Sequence, residues 1–214
     1  MGLQLVTPPA IEPLTLEDAK LHLRVDSSDD DTLISALIVA ARNKIEGYTQ
    51  RALITQTWEY VLDMPNNKQR IPQPPLQRVN SINLIDTDGT VTTIDPKTYI
   101  VDPSGIYARV TPVKASRLAF VDPDLWRGIW PWHRGFASFI INFTCGYGDT
   151  GDTVPGALVE AIRMYTALLY DNREGQPTNM SSGAARASIA LASIGATLPE
   201  SIRALCSPYM ARVL

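Results

Sequence analysis

The sequence predicts an α+β protein. Its expected core is a helical bundle, with helices over about 15–25, 29–50 and 155–174 and a short C-terminal helix; a β-rich insertion covers about 53–145. Three observations lead there. Apolar residues recur at helical spacing between Leu33 and Tyr48, and again between Leu158 and Leu169. Between these stretches the period drops to two, as in Thr55-Gln-Thr-Trp-Glu-Tyr-Val-Leu-Asp63. Turn residues, above all Asp88-Gly89, punctuate the alternating runs at hairpin spacing.

Each element has its own justification. Pro8, Pro9 and Pro13 keep the first segment extended, because proline lacks the N–H that a helix interior needs. Thr15 is a good N-cap, and Asp18 three residues on gives a capping-box-like start. Leu16, Ala19, Leu21 and Leu23 supply an apolar stripe before Asp26–Ser28 break the helix. Asp29, Asp30 and Asp31 then open the long helix, where carboxylates meet unpaired backbone N–H groups and the positive dipole end. Leu33, Ile34, Leu37, Ile38, Ala41, Ile45 and Tyr48 form its apolar face, with Arg42 and Lys44 expected opposite. Gly47 and Thr49 weaken its last turn.

Strands are expected at 55–63, in a hairpin over 79–94, and at 99–101, 108–110 and 136–143, with 65–75 as a turn-rich link. Pro155 suits the first turn of the third long helix, and Arg173 its negative end. The stretch 178–195 is rich in Ser, Ala and Gly. Its few apolar residues cannot offset chain entropy, so the stretch is expected to be mobile or ordered by a partner. A short helix follows from Leu198 and stops before Pro208. This divides the chain into a helical core (1–52 and 146–180), a β-rich insertion (53–145) and a C-terminal tail (181–214).

Composition narrows the function. The chain has 214 residues with 19 basic and 22 acidic side chains, a formal net charge of -3. Proteins that grip nucleic acid show a basic surplus, which is missing here. Cys145 and Cys206 share no CxxC spacing and read as free thiols. The first residues lack the basic start and apolar run of a signal peptide, and no stretch approaches a membrane span.

Candidate chemistry is sparse. Asp29–Asp31 are consecutive and followed by an apolar helix, so a cap fits better than a calcium loop. Asp86, Asp88 and Gly89 fit a hairpin turn. His22 and His133 have no partner at a catalytic or zinc-binding spacing. Gly146-Tyr-Gly-Asp-Thr-Gly lacks the Gly-Lys-Ser/Thr of a phosphate loop and reads as a strand-to-helix link. No catalytic, cofactor-binding or metal-ligating residue is therefore expected. The loop Trp126-Arg-Gly-Ile-Trp-Pro-Trp-His-Arg-Gly135 is the most unusual segment. Its rings suit cover for a small sheet, a protein contact, or base stacking.

The block Ala19-Lys-Leu-His-Leu-Arg-Val25 … Asp30-Asp-Thr-Leu-Ile34, followed by Glu46-Gly-Tyr-Thr-Gln-Arg-Ala-Leu-Ile-Thr-Gln-Thr-Trp58, resembles the head–tail connector (adaptor, or head-completion) proteins of tailed phages. Pro72–Ile82, Asp95–Asp102, Phe143–Gly148 and Val154–Arg173 are similar to the longer branch of that family with a β-rich insertion. The resemblance implies a virion protein without enzyme activity or cofactor. It implies a ring, usually of twelve subunits, docked beneath the portal, extending the DNA channel and offering a platform to the stopper or tail. Identical subunits, the portal protein and a stopper or tail protein are the implied partners, with genome DNA passing through without sequence-specific binding. The implied location is the virion neck, reached from the host cytoplasm during assembly. Portal contacts are expected in the tail, at Arg186, Ile189, Leu191, Ile194, Leu198, Ile202, Leu205 and Tyr209. Subunit or neck contacts are expected at Trp126, Arg127, Trp130, Trp132 and Arg134. The rival readings are another neck or tail-completion protein (tail terminator or stopper) and a small nucleic-acid-processing enzyme.

Overall fold

A computed structural model describes residues 2–63, 68–85, 88–113, 139–172 and 198–211. Eight strands and four helices are present among them: β1 (Gly2–Thr7), α1 (Leu16–Leu23), α2 (Asp31–Thr49), β2 (Gln56–Leu62), β3 (Gln69–Arg70), β4 (Leu76–Ile85), β5 (Val91–Thr93), β6 (Tyr99–Asp102), β7 (Arg109–Pro112), β8 (Phe139–Cys145), α3 (Gly156–Asp171) and α4 (Glu200–Cys206). The chain forms two compact units. One comprises residues 1–10 and 54–147, the other 11–53 and 148–214.

The β unit holds two antiparallel sheets, a five-stranded one in the order β1-β2-β8-β4-β5 and a three-stranded one in the order β3-β7-β6. Strand β8 is the middle of the larger sheet, and its period of two sets the two faces. Phe139, Ile141, Phe143 and Cys145 are fully buried. Their cross-strand partners Leu62, Tyr60, Trp58 and Gln56 on β2, and Leu84, Ile82, Val79 and Leu76 on β4, share that face. Asn142 and Thr144 point the other way. There Asn80 Nδ2 donates to Asn142 Oδ1 (2.8 Å) and Thr144 Oγ1 (3.0 Å), and Asn142 donates to Glu59 (3.1 Å). Gly146 ends β8 with φ +126°, and a Cβ there would lie 2.5 Å from the Ile54 carbonyl, so only glycine fits.

The helical unit is built from amphipathic faces. Ile34, Ile38, Ala41 and Ile45 lie along one stripe of α2 and are at most 2% exposed. Leu158, Ala161, Ile162 and Tyr165 give α3 its buried face. Helix α2 packs on α3, α1 packs on both, and α4 packs on α3. Thr15 caps α1 as its sequence suggests, accepting from the Asp18 N–H at 3.1 Å; the Asp18 carboxylate accepts from the Thr15 hydroxyl rather than reaching back to the backbone. Arg24 and Gln50 close α1 and α2 in the left-handed conformation.

The expected fold class needs correction. A helical-bundle core interrupted by a β insertion is not what forms; the protein is mixed, with strands in two antiparallel sheets beside the helices. Two short elements account for much of the error. Residues 2–7 are not merely extended but make β1, paired with β2. Within the supposed link, Gln69–Arg70 make β3. Because β1 precedes α1 and α2, the helix pair lies in sequence between two neighbouring strands. Pairing of distant strands leaves no local periodic signal, which is why propensity missed it.

Helix α4 belongs to the helical unit's own core. Leu198 and Ile202 are 3% and 2% exposed, Cys206 is fully buried, and the Ala211 N–H donates to the Thr49 carbonyl at 2.9 Å. Deleting residues 198–214 should therefore destabilise the protein, by roughly 3–6 kcal/mol from Leu198 and Ile202 alone. Urea unfolding of the truncated chain checks this; an unchanged midpoint would show that α4 is an appendage.

Candidate functional site

The described residues hold several organised polar groups and an exposed strand. Among them no group of three or more His, Cys, Asp and Glu side chains could hold a metal ion. No described helix is long and apolar enough to cross a membrane. His22 is exposed on α1, and His133 lies outside the described residues.

The most organised polar group is centred on Arg42. Expected on the outer face of α2, it is instead 6% exposed. Its Nε donates to Glu12 Oε2 at 2.7 Å and its Nη1 to Glu46 Oε2 at 2.8 Å. The second oxygen of Glu46 accepts from the Leu53 N–H at 2.8 Å. Burial works against the guanidinium's charge, but the hydrogen bonds and charges of the two glutamates outweigh it and hold its pKa above the ordinary arginine value. The i,i+4 spacing of Arg42 and Glu46 was a legible hint of this pair. Glu12 was not, because it lies thirty residues away.

The acidic run also does more than cap. Asp30 is at the N-cap of α2 but makes no side-chain cap bond; its carboxylate accepts from Tyr170 Oη on α3 at 2.5 Å. Asp31 pairs with Lys20 of α1 at 2.6 Å, and Asp29 closes a local turn with Ser27. The three neighbouring carboxylates thus serve three different attachments.

Of the expected portal-contact residues, Leu198 and Ile202 are committed to the unit's core, while Leu205 and Tyr209 are half-buried. The Tyr209 carbonyl accepts from Arg51 Nε at 2.5 Å, which anchors the end of α4. Arg186, Ile189, Leu191 and Ile194 lie outside the described residues, as do Trp126, Arg127, Trp130, Trp132 and Arg134. Sequence reasoning missed β1 as a surface. All six of its residues are exposed, although Leu3 and Leu5 share a face with the buried Ile141 and Phe143 through Tyr60 and Trp58.

Comparison with known proteins bears on this arrangement. Residues 13–105 match the family model of phage gp6-like head–tail connector proteins. Over those residues the chain is similar to the phage head–tail connector family. Solved structures share the fold. A chain in the neck of an empty gene transfer agent particle, computed with C6 symmetry, superposes with a TM-score of 0.73 at 22% identity, covering 100% of this chain and 98% of that one. A chain of the native gene transfer agent virion gives 0.71 at 22% identity, and one from the native neck computed with C12 symmetry gives 0.69 at 21%, both with the same coverage. No curated protein sequence matches the chain.

Two measurements test the anchors. Glu46→Ala leaves the buried Arg42 with Glu12 alone and strands the Leu53 N–H, and should cost about 3–5 kcal/mol in denaturant unfolding; Glu46→Gln, which keeps the shape, should cost less. Burial pushes the Cys206 thiol up to about 11. The unfolded chain deprotonates first, so stability should fall as pH rises from about 9 toward 11. Cys206→Ala should flatten that alkaline slope in unfolding curves taken across the same range.

Proposed function

We propose that this protein is a structural head–tail connector, a neck adaptor without enzyme activity. Identical subunits form a ring, dodecameric in this reading, that docks under the portal and extends the DNA channel toward a stopper or tail protein. Genome DNA passes through the lumen without sequence-specific binding. The carrying observation is the family match over residues 13–105, made within a chain that superposes end to end on a neck protein. The symmetric neck from which that protein comes supports the ring.

Charge fits the role. A net charge of -3 provides no sequence-wide attraction for phosphates, so a lumen built from this chain would let DNA slide instead of holding it. The rigid α1–α2–α3 assembly, tied by Lys20–Asp31 and Tyr170–Asp30, provides a wedge that can repeat around an axis. On this reading portal contacts fall to Leu205 and Tyr209, which keep exposed surface, and to Arg186, Ile189, Leu191 and Ile194. Leu198 and Ile202 hold α4 in its own core. Trp126, Arg127, Trp130, Trp132 and Arg134 are assigned to subunit or neck contacts, since Trp and Arg concentrate in such interfaces.

Mixing the full-length protein with portal rings under assembly conditions should add a symmetric layer of density below the portal in electron micrographs. Portal rings that stay bare would refute the adaptor assignment. Density at the far end of a tail instead would favour a tail-terminator role.

A further inference from the structure

We infer that β1 is a subunit-pairing edge, and that its partner is β5 of the next copy of this chain. The inference rests on the ring reading above, and adds to it the strands that join the subunits.

The first observation is that β1 is an outer strand of the five-stranded sheet, with no described strand beyond it. An open edge presents a row of unpaired backbone N–H and C=O groups. Proteins that remain single usually protect such an edge with lysine, proline or an inward charge. The strand Gly-Leu-Gln-Leu-Val-Thr contains none of these. Leu3, Leu5 and Val6 are 37%, 41% and 48% exposed. Leu3 and Leu5 continue the face that Phe143 and Ile141 bury completely two strands away, so the apolar face runs past the cover this chain supplies.

The second observation identifies the occupant. The opposite edge of the same sheet is β5, Val91–Thr93, whose three residues are also all exposed, uncharged and β-branched. Val91 is 59% exposed. Two unlike edges at opposite ends of one sheet make a heterologous contact, the kind that closes into a ring when its rotation closes. Every neighbouring pair in the sheet is antiparallel, so the first and fifth strands run in the same direction. In a cyclic array β1 and the next copy's β5 therefore pair in parallel. An isologous pairing of β1 with itself would make closed dimers instead.

Cysteine cross-linking tests this. Gln4 faces the same side of the sheet as Glu59 and Asn142, and Val91 lies on that side through Ile85. The native thiols, Cys145 and Cys206, are buried, so they leave the readout clean. Full-length Gln4→Cys/Val91→Cys protein, assembled alone at high concentration or on portal rings, should give a ladder of covalent oligomers on oxidation. Each single variant should stay monomeric on the denaturing gel. Leu5→Glu should leave the monomer's circular dichroism unchanged and abolish the ladder in the double-cysteine background. Wild-type rings with no ladder from the double variant would overturn the strand pairing while leaving the adaptor reading intact. Dimers from Gln4→Cys alone would overturn it in favour of β1 self-pairing. Wild-type protein that forms no ring, alone or on the portal, would overturn both.

Discussion

The helical unit depends on one buried cation. Arg42 is placed by α2 where water cannot solvate it, and a bare guanidinium there would cost several kcal/mol. Glu12 and Glu46 make the site tolerable, and Glu46 in turn fixes the backbone at Leu53. The segment before α1, the middle of α2 and the segment after it are thereby held to one point. Aliphatic packing along Ile34, Ile38, Ala41 and Ile45 supplies most of the driving force, but it is non-directional. The charge cluster specifies where the two connecting segments must lie.

The same division of labour recurs at the start of α2. Three consecutive aspartates have a simple explanation as a cap, and that explanation is incomplete. Asp30 and Asp31 tie α2 to α3 and α1 respectively. Each tie fixes the rotation of one helix against another, which apolar stripes alone leave loosely set. A subunit that must present the same surfaces at every position of a ring benefits from that fixity.

What could be read from the sequence was what is local. The 3.6-residue period exposed α1, α2 and α3, the Thr15 cap is visible in three residues, and alternation revealed β2, β4 and β8. The family resemblance was legible for a different reason: it depends on the order of many weak motifs, not on any single geometry. The errors were non-local. Gly2–Thr7 becomes a strand because Gln56–Leu62 lies beside it, and Arg42 turns inward because Glu12 waits there. The portal-contact residues were implied by the family resemblance, and a resemblance does not foretell which tail side chains, like Ile202, pack against the chain's own core.

Placing the helix pair between β1 and β2 also constrains the order of folding. Residues 8–55 must be spanned before those strands can meet, and closing a loop of that length costs roughly 3 kcal/mol in chain entropy beyond a constant. The hairpin of α1 and α2 is made of near-neighbour contacts and can form early. Once Arg42 has gathered Glu12 and Glu46, and Glu46 has taken the Leu53 N–H, the ends of that long loop are closer, and part of the closure cost is met by side chains that belong to neither strand. The buried arginine thus acts as a splice, helping to join β1 to a partner strand some fifty residues further along the chain.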